Sequence, residues 1–384
     1  MKPGAPKIAI VSIGIGRVQR GFERYFYDLF LAVRDKVDIT LYKSGGTPNS
    51  RERIPPLLWP TTRIARALPL GRWVGGTDYK EYKRDCLAFA FCLLPELLRN
   101  RFDVVHIIDP PLAQVLQHLM RGCGLRTRLL LCDGCFIPPQ YYPPAAYVQV
   151  TSHVHLQDAL ATGIPESQVT ALPPGVHTQR FVSQVGRQEL RQKYGISEST
   201  FVVLAVSALR PPKRLDYIIE EVSRLEGDVL LWLDGYPEDP SIPALARDRL
   251  GARCRITYVP SGDVPELYGA ADVLVHACLE EGFGYAVVEA ISAGLMVLAH
   301  DTPHFEWLIQ DRDCLIDMRV PGRLTSRLHE LASNSNDLSS RLQARAASAH
   351  RRFDWLSLTP AYVELYGKVA NLSGSLLAGK GGAG

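Results

Sequence analysis

The chain reads as an α/β protein of two doubly wound, Rossmann-like domains, and three observations point there. Short apolar runs without polar alternation recur along it, as parallel strands buried on both faces do. Helical stretches lie between the runs, and strand–helix alternation implies a parallel sheet with helices on both faces. The alternation breaks at Pro173-Pro174-Gly175 and then restarts, and 384 residues suit two domains of about 150–200 residues each.

In the first half, Lys7–Ile13 is a β-branched run ending in Gly14-Ile15-Gly16. Phe22–Val33 has apolar residues at helical spacing, and Val37–Tyr42 is the next strand. Val104–Ile108, Arg128–Cys132 and Tyr147–Val150 follow as strands. Ser44–Asp78 interrupts this rhythm with Pro, Gly and Arg and carries Trp59 and Trp73. A connection of that length is usually functional or mobile. In the second half, Arg187–Tyr194 is a charged helical stretch. The strands expected after it are Phe201–Val206, Val229–Leu233, Arg255–Val259, Val273–Val275 and Met296–Ala299. Ala361–Val369 is an amphipathic helix, and Ser373–Gly384 is a Gly- and Leu-rich tail. The expected division is residues 1–180, 181–355 and a C-terminal segment, 356–384, whose helix packs back on the first domain.

Apolar residues make up 46% and charged residues 22%, which argues against disorder. A net charge of +3, spread along the chain, is too weak to imply nucleic acid. Eight scattered Cys are not a disulfide scaffold. Cys132 and Cys135 form a Cys-x-x-Cys pair with no partner pair, so reduced thiols and a cytoplasmic location are expected. Lys7–Gly14 is too short for a signal peptide. The most apolar stretch, Cys86–Leu98, is broken by Pro95, falls short of the ~18–20 residues of a membrane span, and reads as a core helix.

Two segments carry chemistry. Glu280-Glu281-Gly282-Phe283-Gly284-Tyr285-Ala286-Val287-Val288-Glu289-Ala290 follows a strand and opens a helix. Its glycines let backbone approach a ligand, and a helix start offers N–H groups and a positive dipole end to a pyrophosphate. Glu281 and Glu289 address different parts of one extended ligand, carboxylates being good acceptors for sugar hydroxyls. The same acids equally suit an ordinary helix start. Second, Arg210, Lys213 and Arg214 follow the strand Phe201–Val206; cations at a strand's carboxyl end suit a phosphate, or a solvated turn. On the first domain, Gly14 and Gly16 end the first strand, and Arg17, Arg20 and Arg24 flank that mouth. Arg51, Arg53, Arg63, Arg66 and Arg72 suit an anionic acceptor, a membrane surface or a solvated face.

The Glu281…Glu289 segment with its internal Phe283-Gly284 resembles the donor motif of retaining glycosyltransferases of the family 4 type, group 1. Other features agree in order: Gly14–Gly16 before Gly21-Phe22-Glu23-Arg24, Asp103-Val104-Val105-His106, Pro173-Pro174-Gly175-Val176, Asp234-Gly235-Tyr236-Pro237, and Leu267-Tyr268-Gly269-Ala270-Ala271-Asp272. The resemblance covers roughly residues 7–355. It implies the GT-B fold, two Rossmann-like doubly wound domains facing a central cleft. It also implies a retaining, metal-independent transfer of sugar from a nucleotide diphosphate sugar to an unknown acceptor. The alternatives are an epimerase of the same fold and a non-catalytic sugar-nucleotide-binding protein.

By the resemblance Glu281 contacts the transferred sugar; many relatives place a second His, here Ile108, near that sugar, and His106, ending a buried strand, reads either as a catalytic residue or as a structural one. Glu289 binds the ribose and Lys213 the diphosphate. Arg210, Gly282, Phe283, Gly284 and Tyr285 complete the donor side. Gly14, Gly16, Arg17 and Arg20 form the acceptor side. The acceptor stays open between a sugar, a lipid-linked compound and a small molecule, and peripheral contact with a membrane stays open with it. No cofactor and no metal are implied, and Asp311-Arg312-Asp313 reads as a solvated turn. Ala208 stands where the family has Arg, Ile108 where many relatives have His, and Pro174 where Asn is usual; a Gly pair is missing near Thr302–His304.

Overall fold

The computed structural model describes residues 5–18, 21–56, 80–134, 142–333 and 339–372. It divides into two compact units, Met1–Gly175 with Trp355–Gly384, and Val176–Asp354. Each is an α/β unit around one parallel sheet.

The strands of the first unit are β1 (Lys7–Ser12), β2 (Asp38–Lys43), β3 (Glu52–Arg53), β4 (Val104–Ile107), β5 (Arg128–Asp133), β6 (Tyr147–Val150) and β7 (Val169–Ala171). They pair in the order β3-β2-β1-β4-β5-β6-β7, every pairing parallel. Every residue of β4 is buried, which explains its unbroken apolar run. Between β1 and β2 the helix Gly21–Val33 buries Tyr25, Phe26, Leu29, Phe30 and Val33, one stripe at helical spacing.

The second unit contains β8 (Phe201–Val206), β9 (Val229–Asp234), β10 (Cys254–Thr257), β11 (Val273–His276), β12 (Met296–His300) and β13 (Leu315–Ile316). Their order is β10-β9-β8-β11-β12-β13, again all parallel. The two sheets share one winding. Each grows one way from its first strand and then reverses, leaving a switch point at β1/β4 and another at β8/β11. Open α/β sheets hold their ligands outside the carboxyl ends of the strands there.

Three differences from the sequence reading have physical causes. β3, β7 and β13 run two or three residues each at or near a sheet edge, too short to show a period. The helix Lys80–Asn100 continues through Pro95, because Leu93 and Leu97 on either side are fully buried and outweigh one lost backbone bond. The first crossing between units falls at Gly175/Val176 instead of 180/181. At that point Val176 N–H donates to Phe353 O at 2.7 Å, and Thr178 N–H to Asp354 Oδ2 at 3.1 Å, so the start and end of the second unit are tied side by side.

The chain's last helix, Trp355–Ala370, belongs to the first unit. Tyr362 and Tyr366 are fully buried there. The hydroxyls of Tyr25 and Tyr362 lie 2.8 Å apart, and Gln149 Nε2 donates to both, at 2.8 and 3.0 Å, and to Leu172 O at 2.7 Å. Gly175 packs against the Trp355 ring so closely that a Cβ would lie 2.2 Å from it. The seven cysteines among the described residues form no disulfide, and Cys135 lies outside them. So do Arg20, Trp59, Arg63, Arg66, Arg72, Trp73 and the tail 373–384. Among the described residues no helix is long and apolar enough to cross a membrane.

Candidate functional site

The chemistry of the second unit gathers at its switch point. After β8 the chain turns through Ala208 and Leu209 into a 3-10 turn, Pro211–Lys213. This turn is braced from β9. Leu209 N–H donates to Tyr236 O at 2.9 Å, and Gly235 packs on Ser207 at φ +151°, where a Cβ would stand 1.8 Å from Ser207 O. Only glycine fits such an approach. After β11 the chain passes Ala277–Gly282 to Gly284, at φ +95°, which opens the helix Tyr285–Ser292.

Lys213 Nζ meets Glu281 Oε2 at 2.6 Å, spanning the two strand ends. The same oxygen lies 3.0 Å from His276 Nε2, and Oε1 accepts Gly282 N–H at 3.2 Å. The side chains of Lys213 and Glu281 are 18% and 17% exposed, so the pair is sheltered yet reachable. Burial alone would push the Glu281 carboxyl up, but His276 and Lys213 overcome it and hold the group far below the usual carboxylate range. An ionised acceptor and an ammonium thus sit together at the mouth of the sheet.

The other sequence-derived donor-side residues have protein partners of their own. Glu289 is 4% exposed and accepts the Tyr268 hydroxyl at 2.8 Å. Phe283 is 2% exposed, and its ring packs edge-on against Tyr285 and Phe353. Its carbonyl faces His304 Nε2 at 3.0 Å. Arg210 leans toward Glu238 at 3.9 Å, and Tyr285 begins the helix. Of the turn Asp311-Arg312-Asp313, Arg312 and Asp313 are solvated, at 62% and 60% side-chain exposure, but the Asp311 side chain is 7% exposed and takes Arg345 at 3.2 Å and also Arg341, which lies 2.7 Å from Asp313.

On the first unit, His106 is fully buried, its Nδ1 lies 3.1 Å from the Tyr366 hydroxyl, and its ring is 4.8 Å from that of Phe26. Burial lowers its pKa to about 3, so it is neutral where it packs under the last helix. Gly14 lies under the Glu23 carboxyl, and Gly16, at φ +82°, lies against the Gly45 backbone, where a Cβ would come within 2.2 Å of Gly45 O. Arg17 pairs with Asp85 at 3.6 Å, and Arg24 with Asp28 at 3.5 Å.

The sequence reading missed Asp109 and His276. Asp109, at the β4 end of the first switch point, accepts Ile13 N–H at 3.2 Å and the Tyr82 hydroxyl. Desolvation raises its pKa to about 6. The available signal for both was position: each is a polar residue closing an apolar strand at a switch point.

Comparisons with known proteins bear on the second unit above all. Residues 186–349 match the family of glycosyl transferases group 1. The matched range lies wholly inside Val176–Asp354. The chain is 34% identical over 151 residues to the lipopolysaccharide glucosyltransferase WaaG of Escherichia coli (strain K12), covering 37% of this chain and 40% of that protein. It is 28% identical over 239 residues to the GDP-mannose-dependent alpha-(1-6)-phosphatidylinositol monomannoside mannosyltransferase of Mycobacterium tuberculosis (strain ATCC 25618 / H37Rv), covering 58% and 60%. The chain therefore spans 40% and 60% of the lengths of these two relatives.

Solved structures match over nearly the whole chain. Sucrose-phosphate synthase from Thermosynechococcus elongatus superposes with TM-score 0.76 at 15% identity, covering 94% of this chain and 98% of that one. Anabaena HepE in complex with UDP and glucose gives 0.72 at 17%, covering 94% and 99%. WaaG gives 0.68 at 18%, covering 94% and 99%. At such identities the likeness is one of fold: two parallel-sheet, Rossmann-like domains of the GT-B type.

Proposed function

We propose that the chain is a glycosyltransferase that takes a sugar from a nucleotide diphosphate donor and transfers it with retention of configuration. The Lys213–Glu281 pair across the β8/β11 switch point carries the proposal. An arriving diphosphate draws the Lys213 ammonium to itself. That frees a lone pair on Glu281 for a hydroxyl of the sugar, while His276 keeps the carboxylate ionised and oriented. Glu289, held by Tyr268, takes the ribose. Negative charge growing on the leaving diphosphate is met by Lys213, by Arg210 and by the N–H groups that open the helix Tyr285–Ser292. These charges do the work a divalent ion would otherwise do, so catalysis needs no metal. The first domain receives the acceptor around Gly14, Gly16 and Arg17; the acceptor is a sugar, a lipid-linked compound or a small molecule, and the enzyme works in the cytoplasm in peripheral contact with a membrane.

HepE was solved with UDP and glucose, and one curated relative is GDP-mannose-dependent by name. The test therefore starts with UDP-glucose and GDP-mannose. Nucleotide released only when an acceptor mixture is present, and undiminished by excess chelator, is the expected result. Donor conversion without any acceptor would favour an epimerase. Binding without turnover under every acceptor would favour a non-catalytic protein. Loss of turnover in chelator, restored by magnesium or manganese, would refute the metal-free mechanism.

A further inference from the structure

We propose that the carboxyl end of β11 is also a binding site for a thiophilic divalent cation of the zinc class, one that competes with the nucleotide sugar. Among the described residues, His276, Cys278 and Glu281 bring one ligand atom each to within 4.8 Å of one another. The three differ in chemistry and together suit zinc: a ring nitrogen, a sulfur and a carboxylate oxygen. His276 Nε2 and Glu281 Oε2 are 3.0 Å apart, close to the spacing of neighbouring ligands on a tetrahedral ion. Three protein ligands leave a fourth position for water.

The surroundings support an ion. His276 and Cys278 are 7% and 4% exposed, and the His276 ring is held edge-on to Phe305 at 5.5 Å, which fixes its orientation. Cys278 Sγ lies against the carbonyls of Pro212 at 3.2 Å and Glu280 at 2.8 Å, so its proton is directed at neutral acceptors. One of the three ligand atoms already holds a cation, the Lys213 ammonium lying 2.6 Å from Glu281 Oε2. A divalent ion takes its place. The thiol proton, with any proton on His276 Nε2, leaves to solvent, and the ammonium swings away still charged. Lys213 is thus the built-in competitor of the metal.

Competition with the donor rests on the proposed function, since Glu281 and Lys213 are the groups assigned there to sugar and diphosphate. The metal site itself rests only on the three ligands. A metal-independent transferase inhibited by zinc is a consistent outcome of both.

The full chain, freed of metal by chelator, is titrated with cobalt(II) as an optical probe and with zinc(II) by equilibrium dialysis. The expected result is a thiolate-to-cobalt absorption band and one zinc per chain. Cys278→Ser and His276→Gln should lose both, with melting curves confirming that they fold. Cys123→Ser, at an exposed cysteine, should keep both. Lys213→Ala should bind zinc several-fold more tightly, its competing charge being gone. No band in the wild type, or an undiminished band in folded Cys278→Ser, overturns the site. Zinc uptake that neither UDP-glucose nor GDP-mannose displaces leaves the metal site standing and overturns the donor assignment of Glu281.

Discussion

Single residues decide the electrostatics of this protein. In Lys213→Ala, Glu281 loses its ammonium partner and keeps the His276 ring and the Gly282 N–H. Affinity for UDP should fall by about 1–3 kcal/mol, the scale of a charged hydrogen bond, while affinity for uridine barely changes. Calorimetry with both ligands checks this, and equal losses would remove Lys213 from the diphosphate. Glu289 is read in the same way. Glu289→Gln keeps an acceptor for the Tyr268 hydroxyl but loses the charge. It should weaken nucleotide binding by about 1 kcal/mol or more without lowering the melting temperature. Asp109 offers a pH signature. Its folded pKa, about 6, lies above the ordinary value near 4, so between those pH values the native state binds more protons than the unfolded chain. Its contribution therefore favours folding at low pH and declines as pH rises through that window, by on the order of 2–3 kcal/mol in all. Urea titrations from pH 4 to 7 should show this slope in the wild type and not in Asp109→Asn.

At the scale of elements, two glycine-bearing turns shape the ends of the strands. Gly235→Ala forces a Cβ to within 1.8 Å of Ser207 O at a φ of +151°. The β8 and β9 turns must part, which should lower stability by about 2 kcal/mol or more and blur donor binding with it. Thermal melts of the wild type and the variant check this. Gly16 lies against the Gly45 backbone, so Gly16→Val would displace the whole turn and is no clean probe of acceptor binding. Arg17→Ala is the cleaner acceptor probe, since Arg17 is exposed and pairs with Asp85 over 3.6 Å, an interaction of little energetic weight.

Across the whole molecule, the two units should respond separately. Gln149 is fully buried and donates to Tyr25, Tyr362 and Leu172, joining the last helix to the first sheet. Gln149→Ala leaves those groups short of a donor and opens a cavity. It should destabilise the first unit by about 2–4 kcal/mol. Nucleotide affinity, a property of the second unit, should stay at its wild-type value. A parallel fall in both quantities would mean that the units do not act independently.

The sequence by itself determined the two-domain α/β architecture and pointed to the chemistry of the second half. Strand runs such as Tyr147–Val150 and Phe201–Val206 are legible because burial on both faces writes a local, unbroken apolar signal. The Glu281–Glu289 segment is legible because a strand end, two glycines and a helix start are consecutive in the chain. What lay beyond it were relations between distant residues. Only the tertiary structure showed that Lys213 and Glu281 meet, 68 positions apart, across a switch point. It alone showed that His106, next to last in its strand, is turned under the last helix against the Tyr366 hydroxyl. A residue's type and spacing state what it can do. Which side of a sheet it faces, and what covers that side, depends on pairings between strands and helices that no local pattern records.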